Sequence, residues 1–176
     1  MLRLLLLFFL VSLNVFAGPS DFSWLLQKEV RDSGQFAHDK RSSKVLEKIV
    51  PEFKLKKNAA PNLAGLIRIT LMLPGEKGVV DGRFIIFSGA RPHSATEHAL
   101  VWIDTLNGVG AFALNQCVEE LYIKECITAG SKFFGPDKIP DQFRVELKKW
   151  LKNEDSHLAL QFLKPDLKLQ TFEVLN

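Results

Sequence analysis

A chain of 176 residues, 47% apolar and 24% charged, has the makeup of one folded domain with a core of useful size. Its 23 Lys and Arg against 20 Asp and Glu give a formal charge of only +3, and no dense basic run carries interleaved aromatics, which argues against nucleic acid as a partner. The short cluster Lys54, Lys56 and Lys57 reads as a solvated loop rather than an anion site.

The first 17 residues read as a cleavable signal peptide. Arg3 supplies a positive charge, residues 4–11 are unbroken apolar, and Val15-Phe16-Ala17 places aliphatic or small residues before a cleavage point. That apolar run is well short of the ~20 residues a membrane-spanning helix needs. The expected mature chain is a single domain, 18–176, with no membrane span. Loss of Arg3 leaves 22 basic against 20 acidic residues, a charge of +2. No Asn-x-Ser/Thr sequon is present, so a bacterial periplasm is the expected compartment.

Export changes the reading of the two cysteines, Cys117 and Cys126. An oxidising compartment predicts a disulfide between them. Nine residues of straight strand would span roughly 30 Å, so a bridge demands a bend, expected at Val118-Glu119-Glu120. Two cysteines cannot build a structural zinc site and no histidine sits at ligand spacing, so neither metal nor cofactor is expected.

In chain order, Ser20 or Asp21 is expected to cap a helix carrying Phe22, Leu25, Leu26 and Val30, with Trp24 covering the sheet, ended by Asp32-Ser33-Gly34. His38 falls in a polar linker. A second helix spans 42–50, with Val45, Leu46 and Ile49 on one face, closed by Pro51. Residues 66–73 alternate Ile67, Ile69, Leu71 against Arg68 and Thr70 and read as a strand. Pro74-Gly75-Glu76-Lys77-Gly78 is a turn signal. Strands follow at 83–87, 99–103, 109–114 and 121–127, with a hairpin turn at Asn107-Gly108. Asp141 caps a helix running through Asn153, with Phe143, Leu147, Trp150 and Leu151 on its core face and basic residues at its C-terminal end. Residues 158–163 and 167–174 form a terminal hairpin or two edge strands, and His157 is a surface residue. Short turns between consecutive strands imply antiparallel pairing. The expected class is α+β, a central antiparallel sheet with helices packed on one face.

Between the strands at 83–87 and 99–103 lies a polar loop, Ser88-Gly89-Ala90-Arg91-Pro92-His93-Ser94-Ala95. Pro92 fixes one φ, Gly89 allows a sharp bend, and Ser94 can bond nearby backbone. Arg91 and His93 are expected to project from a stiff protrusion complementary to a cleft holding carboxylates. A protonated His93 has two ring donors and can bridge two acceptors.

Phe87-Ser88-Gly89-Ala90-Arg91-Pro92-His93-Ser94-Ala95, followed by Ala99-Leu100-Val101-Trp102, resembles the inhibitor of vertebrate lysozyme (Ivy) family. That family carries the loop Cys-Lys-Pro-His-Asp-Cys between two strands of a central antiparallel sheet. The resemblance implies a periplasmic, non-enzymatic protein, often a homodimer, whose loop plugs the active-site cleft of a c-type lysozyme. The loop histidine bonds the catalytic carboxylates. It places Arg91 at the lysine position, matches Pro92 and His93 directly, and puts Ser94 at the aspartate position. Ala90 and Ala95 stand where the family has its loop cysteines, so the staple is missing. For a six-residue loop that bridge is worth about 2 kcal/mol. If all of this were pre-organisation, its loss would cost roughly 30-fold in affinity.

Two other readings stand beside this one. The same fold could serve another partner, such as a different peptidoglycan-acting enzyme. Alternatively, Ser88, Ser94, His93, Glu97, His98 and Asp104 are candidates for a small exported hydrolase, though no Gly-x-Ser-x-Gly elbow is present and His-x4-His in a loop is a weak metal signal.

Overall fold

The computed structural model describes residues 22–55, 60–94, 96–118, 126–154 and 159–172. Within them the chain forms four α-helices and a seven-stranded sheet whose strand order is the order of the sequence. The expected signal segment, the caps Ser20 and Asp21, Lys56, Lys57, Ala95, residues 119–125 and His157 lie outside the described residues.

The helical layer comes first. The helix expected from residue 22 is a single 3-10 turn, Ser23–Leu26, and Leu26 is left exposed. Asp32-Ser33-Gly34 starts a helix rather than ending one. Asp32 is extended, and its carboxylate accepts the Gln35 N–H at 2.8 Å, the geometry of an N-cap for α1 (Ser33–His38). His38 closes α1 on the surface instead of lying in a linker. Helix α2 (Arg41–Ile49) buries Val45, Leu46 and Ile49 as expected, and Val50, extended before Pro51, ends it.

The predicted strand 66–73 is instead helix α3 (Leu63–Thr70). Asn62 caps it by accepting the Gly65 N–H at 2.8 Å. The buried set Leu63, Leu66, Ile67 and Thr70 has the spacing of one helix face, which overrides the alternation of the isoleucines.

The strands are β1 (Lys77–Val80), β2 (Phe84–Ala90), β3 (His98–Asp104), β4 (Val109–Leu114), β5 (Cys126–Gly130), β6 (Ala159–Leu163) and β7 (Leu169–Thr171). β1 starts inside the segment expected to be only a turn. Gly108 makes the β3–β4 turn with φ of +64°. Residues 159–172 do form a hairpin, and it joins the main sheet.

The sheet differs from expectation in two respects. It is mixed, because β5 and β6 are parallel while every other pair is antiparallel. A parallel pair needs a crossover, and helix α4 (Asp141–Leu151) supplies it. Helices therefore cover both faces, not one. On one face α1, α2 and α3 pack with Ile85, Phe87, Val101, Ile103 and Phe112. On the other, Phe143, Leu147 and Trp150 of α4 pack with Ile86, Leu100, Trp102, Ile127 and Phe162. Alternation along β2, β3 and β4 sends successive side chains to the two cores. The rings of Phe36 and Phe87 stack at 4.4 Å on the first face, and Trp102 meets Phe143 at 6.2 Å on the second. The class is α+β. Among the described residues no helix is long and apolar enough to cross a membrane.

Cys117 and Cys126 form a disulfide, as expected, with Cα atoms 5.3 Å apart; the bend expected at Val118-Glu119-Glu120 falls largely outside the described residues.

Candidate functional site: the hairpin tip between β2 and β3

The two strands that carry the loop belong to the interior of the sheet, and their buried residues reach almost to its base. β2 continues through Ser88, Gly89 and Ala90, where Ala90 pairs with His98. Gly89 is therefore not a bend. The start of α1 lies against it, and a Cβ at this position would meet the Ser33 Oγ at 2.5 Å. A further rung, Arg91 N–H to the Glu97 carbonyl at 3.0 Å, extends the ladder beyond the strands.

Beyond that rung the chain turns on Pro92 and His93. The Ser94 N–H bonds back to the Arg91 carbonyl at 3.2 Å. Pro92 occupies the first central position, where its fixed φ fits, and His93 the second, with φ of +64°. This pairing of proline with a left-handed residue belongs to a type II turn, whose second position ordinarily goes to glycine or asparagine. Ser94 tightens the loop as expected, its Oγ accepting the Glu97 N–H at 3.2 Å. His93 is exposed at the tip. Ala95 lies outside the described residues.

Arg91 does not project beside His93. It is partly buried, and its Nη1 donates to the Glu97 Oε2 at 2.8 Å. The cation of the loop is thus bound to a carboxylate of the same loop.

The stem is held from the other face. His98 follows Glu97 and so points to the opposite side, where its Nδ1 lies 2.8 Å from the Oε1 of Glu154, just past the end of α4. The other oxygen of Glu154 accepts the side-chain amide of Asn115, and the Asn115 N–H bonds the His98 carbonyl at 3.0 Å. The Glu154 side chain is 5% exposed. Neither Glu154 nor Asn115 was marked by any local pattern, because β4 and the end of α4 meet His98 only through the tertiary fold.

Asp104 lies at the far end of β3, six residues and roughly 20 Å of strand from His98. There it accepts the Nε and Nη2 of Arg83, the backbone N–H of Leu106 and Asn107, and the Asn107 side chain. Burial pushes the Asp104 carboxyl up, but the Arg83 guanidinium and these amides outweigh it and hold the group below the ordinary carboxylate range. Of the six hydrolase candidates, the fold brings Ser94, Glu97 and His98 close along one short stretch. Glu97 and His98 are engaged with Arg91 and Glu154, and Asp104 is out of reach of all of them. Among the described residues no group of three or more His, Cys, Asp or Glu is placed to hold a metal ion.

Clefts of about 440, 370 and 310 Å³ lie in the helical layer, between α2 and α3 and beside Trp24, and none of the three is lined by residues 91–97. The described residues define a small α+β domain with the β2–β3 loop at the end of two interior strands. No protein-family model, no curated protein and no solved structure matches the chain.

Proposed function

We propose that the protein is an exported, periplasmic inhibitor of c-type lysozyme, with residues 1–17 removed on export and the Arg91-Pro92-His93-Ser94 loop entering the active-site cleft. The observation that carries this reading is the placement of His93. A non-glycine residue is held in the left-handed region, with its imidazole exposed, in the proline-braced turn of the β2–β3 loop. Asp81 and Leu167 share the left-handed backbone, so what supports the reading at His93 is the combination of that backbone with an exposed imidazole beside Pro92. The catalytic carboxyl groups of a retaining glycosidase stand about 5–5.5 Å apart. An imidazolium with two ring donors bridges such a gap and occupies the place of the scissile bond. The reading also draws on the resemblance carried by Ala90 to Ala95.

The test is lysis of peptidoglycan by a c-type lysozyme, titrated with the purified chain 18–176 and with its His93→Ala variant. Inhibition by the first and not the second is the expected result. Equal potency of the two, or no inhibition by either at high micromolar concentration, overturns the plug.

One observation favours a second reading, the same display used on another peptidoglycan-acting enzyme. Glu97 neutralises Arg91, so the loop offers no fixed charge to steer it to a catalytic cleft. Retention of such an enzyme, but not of lysozyme, on immobilised protein through His93 identifies this alternative.

A further inference from the structure

We infer that Glu97 is the positioning residue of the displayed loop, and that its ion pair with Arg91 does non-covalently what a disulfide across the loop would do. The inference rests on the reading of this loop as a plug. Arg91 and Glu97 are the first and last residues outside the β2–β3 ladder, joined by the backbone rung between them. Their side chains leave the same face of the hairpin and meet at 2.8 Å. The pair therefore closes the neck of the loop, the place at which a cross-link constrains it most. Glu97 also fixes Ser94, because its N–H is the donor to the Ser94 Oγ. Three contacts from one residue thus tie both Arg91 and Ser94 to the start of β3.

The stem below the neck is immobilised independently. His98 is tied to Glu154 and Asn115 on the α4 face, and the Leu73 N–H bonds the Ala90 carbonyl at 3.1 Å on the β1 side. Above that stem, the Arg91–Glu97 pair is a side-chain contact across the neck of the loop.

This assignment gives Arg91 an inward role, and it makes a prediction opposite in sign to the alternative that Arg91 reaches the target's carboxylates. If Arg91 touched the target, Glu97→Gln would free the guanidinium and potency would rise or hold. If the pair is a staple, Glu97→Gln loosens the loop and potency falls, by about 3-fold for a partly exposed pair. The charge swap Arg91→Glu/Glu97→Arg separates the two further. A staple survives reversal and potency returns to within about 2-fold of the parent, whereas a direct contact becomes a repulsion and inhibition is lost.

The experiment measures lysozyme inhibition by the parent, Glu97→Gln and the swap, alongside NMR order parameters of the backbone amides in 91–97. A fall in order in Glu97→Gln, recovered in the swap, is expected whether or not the chain inhibits lysozyme. If the parent is inactive but the order parameters follow this pattern, the plug reading fails and the staple stands. Unchanged order in Glu97→Gln, or inhibition abolished in the swap with order intact, overturns the staple.

Discussion

His98 and Glu154 meet at 2.8 Å across 56 residues of sequence, one at the base of the displayed hairpin and the other just past the end of α4. A carboxylate acceptor requires the proton on the imidazole Nδ1. Asn115 fills the second carboxylate oxygen, so a nearly buried acidic group is satisfied on both sides. Replacing Glu154 with Gln turns one acceptor into a donor facing another donor. We expect a loss of about 1–3 kcal/mol, seen as a lower urea midpoint with unchanged slope.

His93 has opposite demands for stability and for function. With φ of +64° it sits where glycine is unstrained and alanine is not. His93→Gly should be about 1 kcal/mol more stable than His93→Ala, while neither variant inhibits. Thermal unfolding and lysis assays on the pair, run together, check both halves of the expectation.

The Cys117–Cys126 bridge closes a separation of nine residues and touches no part of the loop. Chain-entropy arithmetic gives about 2–3 kcal/mol for such a closure, or roughly 4–12 °C in Tm for a domain of this size. Reduction should lower Tm by that amount, and Cys117→Ala/Cys126→Ala should reproduce the fall and make it insensitive to reductant.

Asp104 makes the fold acid-sensitive. Its pKa in the folded chain lies below its unfolded value of about 3.9. The stabilisation is therefore complete above that value and is lost as pH falls through the lower, folded one. Asp104→Asn should cost about 2 kcal/mol at pH 7, short of a fully buried pair because Arg83 reaches solvent. Its deficit relative to the parent should shrink below about pH 4. Urea unfolding of both proteins at pH 7, 4 and 3 measures this.

The parts legible in the sequence were those fixed by neighbours along the chain. Strands 83–87, 99–103 and 109–114 lie within a few residues of β2, β3 and β4, because alternation and the Asn107-Gly108 turn are local signals. Residues 66–73 failed for a local reason too: β-branched Ile67, Ile69 and Thr70 suggested a strand, while the cap at Asn62 and the spacing from Leu63 to Thr70 specified a helix. The parallel pairing of β5 with β6, and so the second helix-covered face, depends on where α4 returns the chain. The loop was found from Pro92, His93 and Ser94, but the direction of Arg91 was not. It is decided by the β2–β3 register, which brings Glu97 beside Arg91 six residues later.

The strand order has a consequence for assembly. Each strand's neighbour in the sheet is also its neighbour in the sequence, so no strand must be inserted between two earlier ones. Such local pairing keeps loop-closure costs low and folding fast. The sheet can start at any of the early hairpins and grow outward, with only the β5–α4–β6 crossover imposing a longer search. A nascent chain emerging N-terminus first can thus add each new strand beside the one made just before it.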